Sequence, residues 1–153
     1  MKLLFPAAAL ALALAAGSAS ASDPTEKDAI AMTDRGVALM KAKGKDAMIK
    51  AINAKDPDFI QGSLYIYMRD LKSGAVVAHP VNPGLVGKDL TDVPDAAGKK
   101  YRREILELAA KSGKGWVSYM YRNPTTEKVE PKTTYIVRVD DVILEAGIYK
   151  KTN

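Results

Sequence analysis

The residues best equipped for chemistry in this chain are phenols on extended segments. Tyr65 and Tyr67 are two apart, Tyr119 and Tyr121 are two apart, and Tyr135 lies on a third segment of similar character. Residues two apart point to one face of a strand. Five phenols on three strands make an apolar wall with hydroxyl donors along it, which suits a small polar ligand half buried on a sheet. Lys132 opens the strand that carries Tyr135. An ammonium withdrawn from water needs a counter-charge, and a ligand carboxylate would supply one. Lys132 and Tyr135 have opposite parity, so they share a pocket only across a bulge or twist. His79, the sole histidine, precedes Pro80 and is suited either to donate to an anion or to serve as a structural hydrogen-bonder.

Other chemistries lack their parts. There is no cysteine, and one histidine cannot make a multi-histidine metal site. No G-x-S-x-G, Walker loop or strand-linked G-x-G-x-x-G occurs. Lys111-Ser112-Gly113-Lys114-Gly115 has the wrong spacing for a phosphate loop and reads as a helix stop and turn. Asp89, Asp92 and Asp95 recur every third residue without the alternation or closing glutamate of a calcium loop. Asp95 is expected to cap a helix. No catalytic residue, metal or cofactor is expected, and the net charge of +5 is too mild and dispersed to argue for nucleic acid.

The elements that must position these residues follow from periodicity. Residues 25–54 place apolar or small side chains at Ile30, Val37, Met40, Gly44, Ala47, Ala51 and Ile52, which predicts one long helix bent near Gly44. Asp23 and Pro24 read as its start, and Asp56-Pro57-Asp58 as its stop. The period then changes to two. Residues 64–68 and 75–79 predict a hairpin, and residues 80–94 an irregular loop. A second helix is expected over 96–112, with Tyr101, Ile105, Leu108 and Ala109 inward and Lys99, Lys100, Arg102, Arg103, Glu104 and Glu107 outward. Three strands follow at 116–122, 133–139 and 142–149, the last two joined at Asp140-Asp141. The order predicts an α+β domain: a long N-terminal helix on a five-stranded antiparallel PAS-like sheet, with the second helix and loop covering the ligand face.

At 153 residues and 47% hydrophobic, the chain has material for one domain with a real core. Its first stretch reads differently. Lys2, an apolar run over 3–16 and Ala19-Ser20-Ala21 give the charge, greasy core and small-residue site of a secretory signal peptide. The run is short of the roughly 20 residues that span a bilayer. Cleavage after Ala21 would leave residues 22–153 as a soluble periplasmic protein.

Several blocks, in order, resemble the single Cache domain family. They are Leu64-Tyr65-Ile66-Tyr67, Gly74-Ala75-Val76-Val77-Ala78-His79-Pro80, Asn82-Pro83, Gly87-Lys88-Asp89-Leu90, Asp95-Ala96-Ala97-Gly98-Lys99, Gly115-Trp116-Val117-Ser118-Tyr119, Asn123-Pro124, Pro131-Lys132-Thr133-Thr134-Tyr135 and Ala146-Gly147-Ile148-Tyr149. The resemblance implies an extracytoplasmic sensor module, of the kind found in chemoreceptors and histidine kinases, that binds a small organic acid such as acetate, propionate, lactate or pyruvate. By motif position it implies Tyr65, Tyr67, His79, Tyr119, Tyr121, Lys132 and Tyr135 as ligand contacts. No second apolar span follows Tyr149, so the expectation is a free-standing domain read out through a membrane-bound kinase or chemoreceptor, with homodimerisation through the N-terminal helix. The competing reading is an interaction protein whose helix contacts such a receptor without a dedicated ligand.

Overall fold

The computed structural model describes residues 22–150; the proposed signal segment lies outside the described residues. The helical N-terminal region is two helices, α1 (Glu26–Lys43) and α2 (Lys45–Asn53), rather than one bent helix. Gly44 separates them at φ +86° and ψ 173°, a backbone region essentially closed to residues with a Cβ. The start also differs from the sequence reading. Thr25 is the N-cap, and a reciprocal capping box joins it to Asp28, so Asp23 and Pro24 precede the helix.

Among the described residues six antiparallel strands follow: β1 (Ile60–Gln61), β2 (Leu64–Asp70), β3 (Val76–Ala78), β4 (Lys114–Arg122), β5 (Val129–Val139) and β6 (Val142–Tyr149). The order across the sheet is β1-β2-β6-β5-β4, with β3 sharing the outer edge of β2. β2 and β6 are central and are buried on both faces. One set of alternating residues, including Leu64, Ile66, Met68, Leu144 and Ala146, forms the main core with Met32, Met40, Met48 and Ile52 of α1 and α2. The opposite set meets α3 (Tyr101–Ser112), where Tyr101, Ile105 and Ala109 pack with Val117, Tyr119, Ile136 and Ile143.

Between β3 and α3 lies a long strap that holds only a short 3-10 turn at Pro83–Leu85. The strap is longer than periodicity predicted, because α3 starts at Tyr101 and not at Ala96. Gly98, at φ +84°, interrupts the helical run. Asp95 therefore caps no helix. One carboxylate oxygen accepts the N–H groups of Ala97 and Lys99 at 2.9 and 2.8 Å, and the other accepts that of Met120 at 2.7 Å. Asp95 thus fastens the strap to β4.

Candidate functional site

The second face of the sheet positions the site. On β2, Tyr65, Tyr67 and Arg69 point to this face. On β6 the register places Gly147 opposite Tyr65, Glu145 opposite Tyr67 and Ile143 opposite Arg69. On β5, Ile136, Thr134 and Lys132 pair with Glu145, Gly147 and Tyr149. β4 adds Tyr119 and Tyr121. The strap and α3 close the top with His79, Leu85, Leu90, Tyr101 and Arg102. The cavity these groups enclose measures about 10 Å³, room for roughly one water. An open groove of about 940 Å³ runs elsewhere, past Pro24, Gln61, Thr125 and Lys150, but its walls are mainly loops and strand ends. Of the two, only the small cavity is walled by buried charges.

Five of the seven expected residues, Tyr65, Tyr67, His79, Tyr119 and Tyr121, line this cavity. Lys132 lies against it, 1% exposed. Its Nζ donates to Tyr65 Oη at 2.9 Å and sits 4.0, 5.3 and 4.9 Å from the ring centres of Tyr65, Tyr121 and Tyr149. Tyr135 is not brought in. β5 runs in continuous register through Lys132 and Tyr135, with no bulge to reconcile their parities. Tyr135 therefore faces the α1 side, where its ring lies 5.0 Å from Trp116.

The small residue at Gly147 makes room for the lysine. A Cβ there would come within 2.5 Å of Lys132 Cε and 2.2 Å of Thr134 Oγ1. Burial pulls the Lys132 ammonium down from 10.5 to about 7, and the negative charge of Glu145 opposes this only in part. His79 is pushed the same way, to about 3, by burial and then by the positive charges of Lys132 and Arg69. Its Nδ1 accepts the N–H groups of Val81 and Asn82 at 3.2 and 2.9 Å. The neutral ring therefore carries its proton on Nε2, which makes it a donor. Burial raises the Tyr65, Tyr67 and Tyr119 hydroxyls, so they remain protonated donors at neutral pH.

Periodicity did not find several residues here. Arg69 and Glu145 form an ion pair at 2.7 Å, with side chains 2% and 0% exposed. Burial pushes Arg69 down, but the charge and hydrogen bond of Glu145 together with those of Tyr67 outweigh it and hold the guanidinium above its ordinary value. Arg69 shares parity with Tyr65 and Tyr67, and Glu145 is a lone charge in an otherwise apolar strand, so both carried a readable signal. Arg102 was expected on the outer face of its helix. It is instead nearly buried, 4.3 Å over the Tyr101 ring, with Nη1 donating to Val93 O at 3.0 Å. Tyr101 in turn stacks on Tyr119 at 3.7 Å. Arg69, Arg102 and Lys132 thus bring three cations to one face against the single carboxylate of Glu145, and Lys132 has no ion-pair partner among the described residues. The chemistry on offer is anion binding by buried cations and neutral donors.

No helix among the described residues is long and apolar enough to cross a membrane. Among solved structures, the chain is similar to a methyl-accepting chemotaxis protein from Vibrio parahaemolyticus, at 24% identity and a TM-score of 0.68, covering 80% of this chain and 86% of that one. It is similar to the periplasmic sensor domain of a chemotaxis protein, at 25% identity and a TM-score of 0.63, covering 82% and 90%. A Cache chemosensory domain studied for carboxylic acid recognition matches at 24% identity and a TM-score of 0.64, covering 82% and 88%. The family model for single Cache domain 2 matches residues 27–151. The chain belongs to that family of sensory ligand-binding domains.

Proposed function

We propose that this protein is an extracytoplasmic sensor domain for a short-chain carboxylate such as acetate, propionate, lactate or pyruvate. The observation that carries this reading is Lys132: a fully buried ammonium with one neutral hydrogen-bond partner and, among the described residues, no ion-pair partner, against a cavity lined by phenols. A carboxylate supplies the missing charge. The protonated hydroxyls and His79 Nε2–H orient it, and the ring faces cover its short alkyl tail. A related Cache domain with the same fold is described as recognising carboxylic acids, which is consistent with this choice.

A two- or three-carbon acid needs more room than one water, so binding requires the strap over residues 79–100 to move outward. The strap is held by identifiable contacts: Arg102 to Val93 O, Asp95 to Met120 N–H, and Arg103 to Asp92. α1 packs on β5 and β6, the strands that carry Lys132 and Glu145. Through that contact, movement in the site would reach the outer face of α1, where a second copy or a membrane receptor or kinase would read it. The proposed setting is the periplasm, following cleavage after Ala21.

A thermal-shift screen of the purified protein against short carboxylates, amino acids and amines tests the reading, because a ligand bound only by the folded state raises the melting temperature. A selective shift with two- or three-carbon acids, lost in Lys132→Ala, is expected. A shift with amines alone would overturn the role given to Lys132.

A further inference from the structure

Glu145 is a carboxylate with half of its work undone. Its Oε1 accepts from Arg69 Nε at 2.7 Å, while Oε2, fully buried, has no hydrogen-bond partner among the described residues. A buried charged acceptor left unmade is costly, so a donor is needed there. Arg69 turns its Nη1 to Gly74 O at 3.0 Å, and among the described residues none of its N–H groups is placed to reach Oε2. Glu145 stands on the ligand face between Tyr67 and Ile136 in the register, and both Tyr67 and Arg69 line the cavity.

We propose that Glu145 Oε2 receives a hydrogen bond from the ligand, so that the preferred ligand is a small 2-hydroxy acid rather than a plain alkanoate or a 2-keto acid. This rests on the carboxylate reading and sharpens it. The geometry suits the class. Lys132 Cε lies over Gly147, two residues along β6 from Glu145 and therefore about 7 Å away along the strand. A carboxylate on Lys132 with a hydroxyl on the adjacent carbon has its two polar ends spaced to address side chains that stand two residues apart on this face. The charge balance selects the donor. With Arg69, Arg102 and Lys132 already present against one carboxylate, a neutral hydroxyl enters without repulsion, whereas an ammonium adds a fourth cation.

The experiment is titration calorimetry of the purified protein with propionate, lactate, pyruvate and alanine, which share a three-carbon skeleton and differ at one position. Lactate is expected to bind about tenfold or more tightly than propionate or pyruvate, the usual reward for a hydrogen bond to a charged acceptor, with alanine weakest. Glu145→Gln removes the advantage of lactate over pyruvate, because the lactate hydroxyl and the pyruvate carbonyl can both accept from an amide N–H. Its amide oxygen faces Arg69, which turns the amide N–H toward the ligand in place of an acceptor. Equal affinities for lactate and propionate in the unaltered protein would overturn the inference while leaving the carboxylate reading intact, and would mean that water satisfies Oε2. Alanine binding best would overturn the choice of hydroxyl. Binding of none of the four would remove the carboxylate reading and this inference together. The comparison in the unaltered protein does not depend on the variant folding.

Discussion

Replacing Lys132 by methionine should make the ligand-free protein more stable, and should do so in a pH-dependent way. The ordinary value of 10.5 falls to about 7 in the fold. A base whose folded value is depressed takes up its proton more readily when unfolded, so stability is lost as pH falls from 10.5 toward 7 and the loss is complete below 7. At about 1.4 kcal/mol per unit, the buried charge costs roughly 4–5 kcal/mol at pH 6 and about 2 kcal/mol at pH 9. Methionine keeps much of the volume but forfeits the Tyr65 hydrogen bond and the ring contacts, worth about 1–2 kcal/mol. The net gain is about 3 kcal/mol at pH 6 and close to zero at pH 9. Urea denaturation of both proteins at the two pH values measures it. A methionine variant that is less stable at pH 6, or equally stabilised at both pH values, would refute the view of Lys132 as an uncompensated charge kept for a ligand.

Three further outcomes follow from the same geometry. Gly147→Ala should destabilise by about 1–3 kcal/mol and abolish carboxylate binding, because its Cβ would displace Lys132 Cε and Thr134 Oγ1; denaturation and calorimetry on one preparation test both effects. His79, depressed to about 3, makes the fold lose stability as pH drops below 6.5, since the unfolded chain takes up the proton first. Between pH 7 and pH 4.5 the protein should lose about 2–3 kcal/mol more than a His79→Gln variant, read by urea midpoints. Tyr135→Phe should leave ligand affinity unchanged, because the ring packs on Trp116 across the sheet from the cavity.

Much of this molecule was legible from local pattern. Strands announce themselves by parity, and parity alone put Tyr65, Tyr67, Tyr119 and Tyr121 on shared faces. It also flagged the conflict between Lys132 and Tyr135, which an unbroken β5 resolves against Tyr135. Helix boundaries were less legible. A helical period continues across Gly44, whose positive φ breaks it, and Asp95 resembles a cap although its carboxylate is taken by backbone groups that include Met120, 25 residues away. In the charged half of the site the individual residues carried a signal, but their pairing did not. Arg69 and Glu145 are 76 residues apart, and nothing local to either identifies the other. Arg102 was misassigned because amphipathic patterning sends arginine outward, and only the strap laid over the start of α3 buries it.

The most direct test of the carboxylate account is a crystal structure of the protein grown with a three-carbon acid. The account predicts one carboxylate oxygen about 3 Å from Lys132 Nζ, inside an enlarged cavity, with the strap over residues 79–100 displaced. An acid found only in the open groove beside Pro24 and Lys150, with Lys132 still bonded to Tyr65 alone, would contradict it.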